Sequence, residues 1–462
     1  MIRKNIFYAL LMVATGSLLS TACMFDQEDL FDEGASQRMT HFNEGLQSKL
    51  VAQSTNGNQG WVIQYFVGNS SIEGFNLFGS FTDDNQVTLA SDHRYLRSGK
   101  AGNYTEYKSS YQMLAEEGPI LSFNTWNDVL TVFADPVDPS NAPTSIINDG
   151  EGMSGDYNLV FKAYEGNNIV FRGERHSAEV RFVPCDRPWQ TYIDDVAAMK
   201  KKISNSTLTS YYLTDGKDTM FYSGLNTGIV YHVDRVEDPL QSSVFSCLFT
   251  PEGFRINHKD TLAGNSFQEF KISADNTHLD SEDGKTKLIP AWDTYIWGCS
   301  SIWKIDADNF TAEQTALFQQ MAAEVKKVNA KFELDSIAIG RMTETETYGS
   351  LTERVVYPAL ILCVHGPAKM GRTPQYKPYC NMNIDKPEFG KLKFSQSDVT
   401  RSNDNMDMFA ATDLKTLCLQ FAATLYGTYT MQPDDCFRPT QATLTPDNGG
   451  NTIKLVLKAI AD

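Results

Sequence analysis

The chain has 462 residues, and 57 acidic against 40 basic side chains give it a formal net charge of −17, with 41% hydrophobic and 11% aromatic residues. That length holds about two to four domains able to bury their own cores, and the composition excludes intrinsic disorder. The acidic balance excludes nucleic-acid backbones and anionic lipid headgroups as main partners, because both need clustered Lys and Arg.

Arg3 and Lys4 precede an apolar run from Ile6 to Leu19 that is broken by Thr15, Gly16 and Ser17. The run is too short to span a bilayer comfortably, and it predicts a signal peptide over residues 1–22. Thr21 and Ala22 directly before Cys23 resemble a bacterial lipobox, which predicts acylation of the Cys23 thiol and cleavage just before it. Ser20 departs from that pattern, which prefers Leu there; the alternative is ordinary secretion with a free Cys23. A multi-chain lipid would give stable membrane attachment. Signal removal takes two basic and no acidic residues, so the mature chain becomes more acidic. Asp26, Glu28, Asp29, Asp32 and Glu33 then crowd one short stretch. They form a solvated tether or, by resemblance, the export signal that sends Bacteroidota lipoproteins to the outer face of the outer membrane.

The tether and one short helix occupy 23–55, with Met39, Phe42, Leu46 and Leu50 at helical spacing behind Ser36 as N-cap. A β-rich domain over 56–205 follows. Trp61, Ile63, Tyr65 and Val67 alternate there, as do Phe75, Leu77, Gly79 and Phe81, and Pro136, Pro139 and Pro143 mark an exposed loop. Pro188 opens a helix with Tyr192, Val196, Met199 and Ile203 on one face, and Lys200–Lys202 complement its C-terminal dipole. A second β-rich unit spans 206–305. The C-terminal α+β domain, 306–462, starts near a capping box of Thr311 and Gln314. It also holds a helix with Leu414, Leu417, Phe421 and Leu425 on one side and Gly427 as its stop. The predicted fold class is α+β, mainly antiparallel β, with meander or half-barrel sheets and a few amphipathic helices. Similar hairpin patterns at Asn76–Ser91, Ser246–Asn257 and Cys380–Ser395 suit either a repeated sheet-plus-helix unit or unrelated hairpins.

No catalytic or cofactor motif is written in this chain. Cys185, Cys247, Cys299, Cys363, Cys380, Cys418 and Cys436 have no zinc-ribbon or thioredoxin spacing, and small buried hydrophobes are their expected role, with one or two bridges compatible with export. His41, His93, His176, His232, His258, His278 and His365 are scattered without ligand spacing. Neither a nucleophile elbow nor a phosphate loop is present. Asp275, Asp280, Glu282, Asp283 and Gly284 miss the calcium-loop register and are expected to form a solvated turn. No catalytic, metal or cofactor residue is assigned. Tyr104, Tyr107, Tyr111, Trp126 and Trp61 are core aromatics or, as the alternative, a stacking platform for sugars or peptides.

Four segments together resemble a family. Leu30–Met39 is similar to the opening motif of the Bacteroidota surface lipoproteins catalogued as domain of unknown function 4302. Leu121–Asn127 resembles that family's Leu-Thr-Phe-Asp-Thr-Tyr-Asn, with Asn124 and Trp126 in place of Asp and Tyr. Gly155–Asp156–Tyr157 is similar to its Gly-Asp-Phe, and Leu425–Tyr429 to its Leu-x-Gly-Thr-Phe ending, so the likeness is expected over almost the whole mature chain. The resemblance implies a non-enzymatic binding or accessory role beside a TonB-dependent transporter in nutrient uptake. The alternatives are a hydrolase with a spatially assembled carboxylate or His site, and a structural or adhesive surface module.

Overall fold

A computed structural model describes residues 34–135 and 152–458, apart from 56, 58, 98–99, 117, 205–207, 234–241, 299–301, 349–350, 368–373 and 399–403. The signal peptide, Cys23, the acidic run, Cys299 and most of the proline-marked loop lie outside the described residues. Contacts divide the chain into two compact units. The first comprises Met1–Ile63, Leu77–Asp135 and Gly155–Asp186, and the second Gln64–Asn76, Pro136–Ser154 and Arg187–Asp462.

The expected β-rich, antiparallel fold with a few helices is what the chain adopts. Its first sheet has nine strands: β1 (Trp61–Phe66), β2 (Phe75–Phe81), β3 (Gln86–Ser91), β4 (Thr105–Ser110), β5 (Gln112–Ala115), β6 (Pro119–Ser122), β7 (Asn158–Glu165), β8 (Asn168–Gly173) and β9 (Glu179–Pro184). The order is β4-β3-β2-β1-β9-β8-β7-β6-β5, a meander whose first and last strands pair. Consecutive strands β4 and β5 are its two edges. Unpaired edges invite association. Helix α1 (Ala35–Ala52) packs on β5 and β6, and its Asn43 Nδ2 donates to the Leu114 carbonyl of β5 at 3.2 Å. Leu46 and Leu50 are fully buried, and Phe42 meets Phe161 edge to face at 4.9 Å. The helix starts earlier than the pattern suggested: Gly34 is the N-cap and its N–H donates to Gln37 Oε1 at 3.2 Å, which leaves Ser36 inside the first turn.

In the second unit, eight strands close into a barrel in chain order. They are β10 (Ser210–Thr214), β11 (Thr219–Ser223), β12 (Ile229–Val233), β13 (Ser242–Thr250), β14 (Gly253–Leu262), β15 (Asn265–Ile272), β16 (Leu279–Ser281) and β17 (Lys287–Pro290). Closure pairs β10 with β17, setting Tyr211 opposite Pro290 and Leu213 opposite Leu288. Alternate residues Phe245, Cys247 and Phe249, then Phe254 and Ile256, join Tyr211, Leu213, Phe267 and Phe270 in one buried cluster. Helix α2 (Trp189–Ile203) follows Pro188 as expected and packs on β13 and β14 with Tyr192 and Ile203 buried. Its last carbonyls are satisfied by Arg438, whose guanidinium donates to Lys201 O and Ser204 O.

The third sheet contains β18 (Ile302–Ile305), β19 (Glu333–Tyr348), β20 (Leu351–His365), β21 (Gln375–Tyr376), β22 (Tyr379–Asp385), β23 (Lys391–Gln396), β24 (Gly427–Pro433), β25 (Gln441–Pro446) and β26 (Ile453–Lys458). The additional β19–β20 pairing closes eight of these strands into a ring and leaves β21 on its side. Helix α3 (Trp292–Gly298) precedes this sheet. Its Asp293 carboxylate is completely buried, 3.2 Å from Lys386 Nζ, and that ammonium also donates to Tyr212 Oη at 2.9 Å and Thr294 Oγ1 at 2.7 Å. A buried charge is tolerated only when paired in this way. Helix α4 (Ala312–Val328) begins at the Thr311–Gln314 capping box as predicted. Helix α5 (Leu414–Ala423) packs on α4, β22 and β23; it ends with Thr424 as C-cap, so Gly427 opens β24 and does not stop the helix. The three similar hairpin patterns form β2–β3, β13–β14 and β22–β23. The last two are the fourth and fifth members of their rings in chain order, whereas the first lies at the second and third strands.

His93, between β3 and β4, lies with Nε2 at 2.9 Å from the Val129 carbonyl and its ring at 4.8 Å from Phe133. Burial lowers its pKa from 6.5 to about 4. The unfolded chain therefore takes up this proton first, and stability present above pH 6.5 is lost as the pH falls toward 4. Urea unfolding should show a His93 contribution of about 2 kcal/mol less stability at pH 5 than at pH 7.5. His93→Gln should remove that part of the pH slope; equal slopes in both proteins would refute the assignment.

Candidate functional site

Within the barrel cluster, three titratable side chains meet. Tyr222 on β11 donates to Asp260 Oδ2 on β14 at 2.5 Å, and His232 Nδ1 on β12 lies 2.6 Å from the same oxygen. The other Asp260 oxygen accepts the Thr261 N–H at 2.7 Å. A register shift between Arg255 and Asp260 interrupts the β14–β15 ladder, and such bulges re-aim side chains. Burial, and then the Asp260 charge, push the Tyr222 phenol well above its ordinary range, so it stays a donor. His232 Nε2 faces Met220 Sδ at 2.8 Å. With one imidazole nitrogen on a carboxylate and the other on a thioether, this arrangement is a stitch across β11, β12 and β14 and activates no nucleophile. Asp260→Ala strands two buried donors and should cost about 3 kcal/mol or more, against about 1–2 kcal/mol for Tyr222→Phe. Chemical denaturation of both variants checks the ordering, and an Asp260→Ala protein as stable as the parent would contradict it.

The third sheet carries a cleft of about 370 Å³ between α5 and strands β22 and β23. Leu414, Leu417, Cys418 and Phe421 seat α5 on the sheet, so Lys415, Leu419 and Ala423, four residues apart, share a different face that lines the cleft. Thr416 and Gln420 flank them, and Asn381, Gln396, Ser397 and Tyr426 complete the walls. Leu419 is 41% exposed, a large apolar side chain left in solvent. Burial raises the Tyr426 phenol, which remains neutral at physiological pH. The result is an apolar patch bordered by amides, hydroxyls and one lysine. Such a lining holds a ligand with an apolar face and a hydrogen-bonding edge.

The residues singled out in the sequence end elsewhere. Cys23 lies outside the described residues. Trp61 and Tyr111 are buried, Tyr104 and Tyr107 are half-buried, and Trp126 is exposed under the Arg97 guanidinium, so the five rings do not make one platform. In the acidic loop, Asp275 accepts from Ser273 Oγ, Thr277 Oγ1 and Thr277 N–H, which lower its pKa to about 2, and Asp283 accepts from Ser281 Oγ and Lys285 N–H. These two carboxylates organise their own turns, while Glu282 accepts the Gln268 and Glu269 N–H groups of β15. Among the described residues no group of three His, Cys, Asp or Glu is placed to hold a metal ion. Of the described cysteines, Cys436 is half-buried and the other five are buried, and Cys380 touches Cys418.

Three of the four segments that carry the family resemblance prove to be stitches. Asn124 bridges the two edges of the first sheet: its Oδ1 accepts from Ser110 Oγ at the end of β4, and its Nδ2 donates to Gln112 Oε1 on β5. An aspartate there would lack the donor. Thr125 Oγ1 accepts the Ser110 N–H, and the buried Asn127 donates to Tyr107 O and Ser109 Oγ. Asp156 accepts the N–H groups of Arg175, His176 and Ala178 and shapes the β8–β9 turn. A Cβ at Gly173 would lie 1.9 Å from that carboxylate, so glycine is required. Tyr429 Oη donates to Leu425 O and ties β24 to the end of the preceding helix.

No curated protein matches the chain. Among solved structures it is similar to the crystal structure of the DNA polymerase III subunit beta from Pseudomonas aeruginosa, at 8% identity over 91% of this chain and 97% of that one, with a TM-score of 0.12. That likeness is too slight to bear on fold or function. A family model described as a domain of unknown function, DUF4302, matches residues 27–274 and so leaves Leu425–Tyr429 outside the match. The match takes in the stitched segments Leu121–Asn127 and Gly155–Tyr157 and more than half of the chain, which therefore belongs to the DUF4302 family.

Proposed function

We propose that the protein is a lipid-anchored outer-membrane protein, facing the cell exterior, that binds a polar nutrient in the α5 cleft and serves a TonB-dependent transporter without catalysis of its own. The observation that carries the binding role is the cleft lining. Leu419, Ala423 and the Tyr426 ring offer a surface for an apolar ligand face, while Gln396 and Gln420 offer paired donors and acceptors around it. Among the described residues the lining holds no carboxylate, the group that glycoside or metal-assisted hydrolysis would ask of it. Short glycans fit this pattern, since their C–H faces stack on aromatic rings and their hydroxyls pair with side-chain amides. The location rests on Thr21 and Ala22 before Cys23 and on the acids that follow.

Two experiments bear on this reading. Metabolic labelling with palmitate should mark the wild-type protein and not Cys23→Ala, and protease added to intact cells should digest it; unlabelled wild type would remove the anchor. A panel of oligosaccharides, with peptides as the comparison arm, tests the cleft by calorimetry. Tyr426→Ala and Gln420→Ala should each weaken binding about tenfold with little change in melting temperature. Undiminished binding in both variants would move the ligand elsewhere.

A further inference from the structure

The floor of the α5 cleft contains a feature that ligand binding does not require. Cys380 on β22 and Cys418 on α5 are 38 residues apart in sequence, yet their Sγ atoms lie 2.9 Å apart. Both side chains are buried, at 2% and 0% exposure. The separation is shorter than an ordinary contact of two sulfur atoms and longer than the bond of about 2.05 Å, so a small side-chain adjustment joins them. The two residues belong to the two elements that form the walls: β22 supplies Cys380 and Asn381 to the lining, and α5 supplies Lys415, Leu419 and Gln420 from the face next to Cys418.

We infer that Cys380 and Cys418 are joined by a disulfide in the mature protein, a cross-link that holds α5 against the sheet and sets the spacing of the cleft walls. The bond forms by exchange with the disulfide of an envelope oxidoreductase or a small-molecule disulfide. One cysteine thiolate attacks that disulfide, giving a mixed disulfide and releasing one thiolate; the second cysteine thiolate then attacks the protein-bound sulfur and releases the other. Two protons leave the protein and two electrons reduce the oxidant to two thiols. The contact with Cys380, and then burial, hold the Cys418 thiol well above its ordinary range. Exchange therefore precedes the docking of α5, and the finished bond is shielded from reductant.

The oxidising compartment rests on the export proposed above, so the test has two arms. In the first, the mature full-length chain is refolded from urea with oxidised and reduced glutathione, alkylated, digested and analysed by mass spectrometry. In the second, the protein is taken directly from the cell envelope and alkylated before lysis. A peptide pair linked through Cys380 and Cys418 is expected in both. Reduction under denaturing conditions, then refolding with the thiols kept reduced, should lower the melting temperature by roughly 5–10 °C in the wild type. A Cys380→Ala/Cys418→Ala double variant should be insensitive to that treatment. Both thiols alkylated after glutathione refolding, or either bonded to another cysteine, would overturn the geometric inference. A link formed in glutathione but missing from envelope protein would overturn the statement for the mature protein and count against export, which palmitate labelling of Cys23 tests separately.

Discussion

Strand edges are the constraint from which the rest of this structure follows. A meander leaves its first and last strands with unpaired N–H and C=O groups, and each of the three sheets must dispose of them. The barrel does so by pairing β10 with β17, and the third sheet by running β18 beside both β19 and β26. The first sheet joins β1 to β9 and opens instead between β4 and β5. There the chain uses side chains: Asn43 from α1 on one edge, Thr125 and Asn127 on the other, and Asn124 across both.

Buried polar groups follow the same logic. Asp260 with Tyr222 and His232, and Asp156 with three backbone N–H groups, are each satisfied by the chain itself, and the buried Asp293 is charge-balanced by Lys386. Titratable clusters of this kind suggest catalysis at first sight, and perturbed acidities often mark active sites. Geometry decides otherwise for the barrel cluster, where every heteroatom that catalysis would need is already committed to a neighbouring strand. The α5 cleft is the reverse case, with a Tyr426 phenol raised by burial first and side chains facing an open space.

Much of the architecture was legible in the residues. Alternation at Phe75–Phe81, the 3.6-residue stripe of α2 and the Thr311–Gln314 capping box each correspond to an element, because local periodicity states which face is apolar, whereas Trp61–Phe66 forms a strand buried on both faces, where alternation does not separate them. Boundaries were less legible. Gly34 displaced Ser36 as N-cap because Gln37 reaches back to its N–H, and α5 stopped before Gly427 because Thr424 took the C-cap. The cleft left no sequence signal: Lys415, Thr416, Leu419 and Gln420 look like any solvated helix face until β22 and β23 are set beside them.

The sequence by itself determined an acidic, mainly antiparallel β protein with amphipathic helices, and its DUF4302 kinship could be recognised from short segments. Those properties depend on composition, period and local motif, all of which are carried within a few tens of residues. Only the tertiary structure decided that two of the three meanders close into rings, that the shared motifs seal an edge of the third, that Cys380 lies against Cys418 and that a cleft opens beside them. Each of these joins residues distant in the chain, and pairing between distant residues is set by how whole sheets close and not by any pattern along the strand.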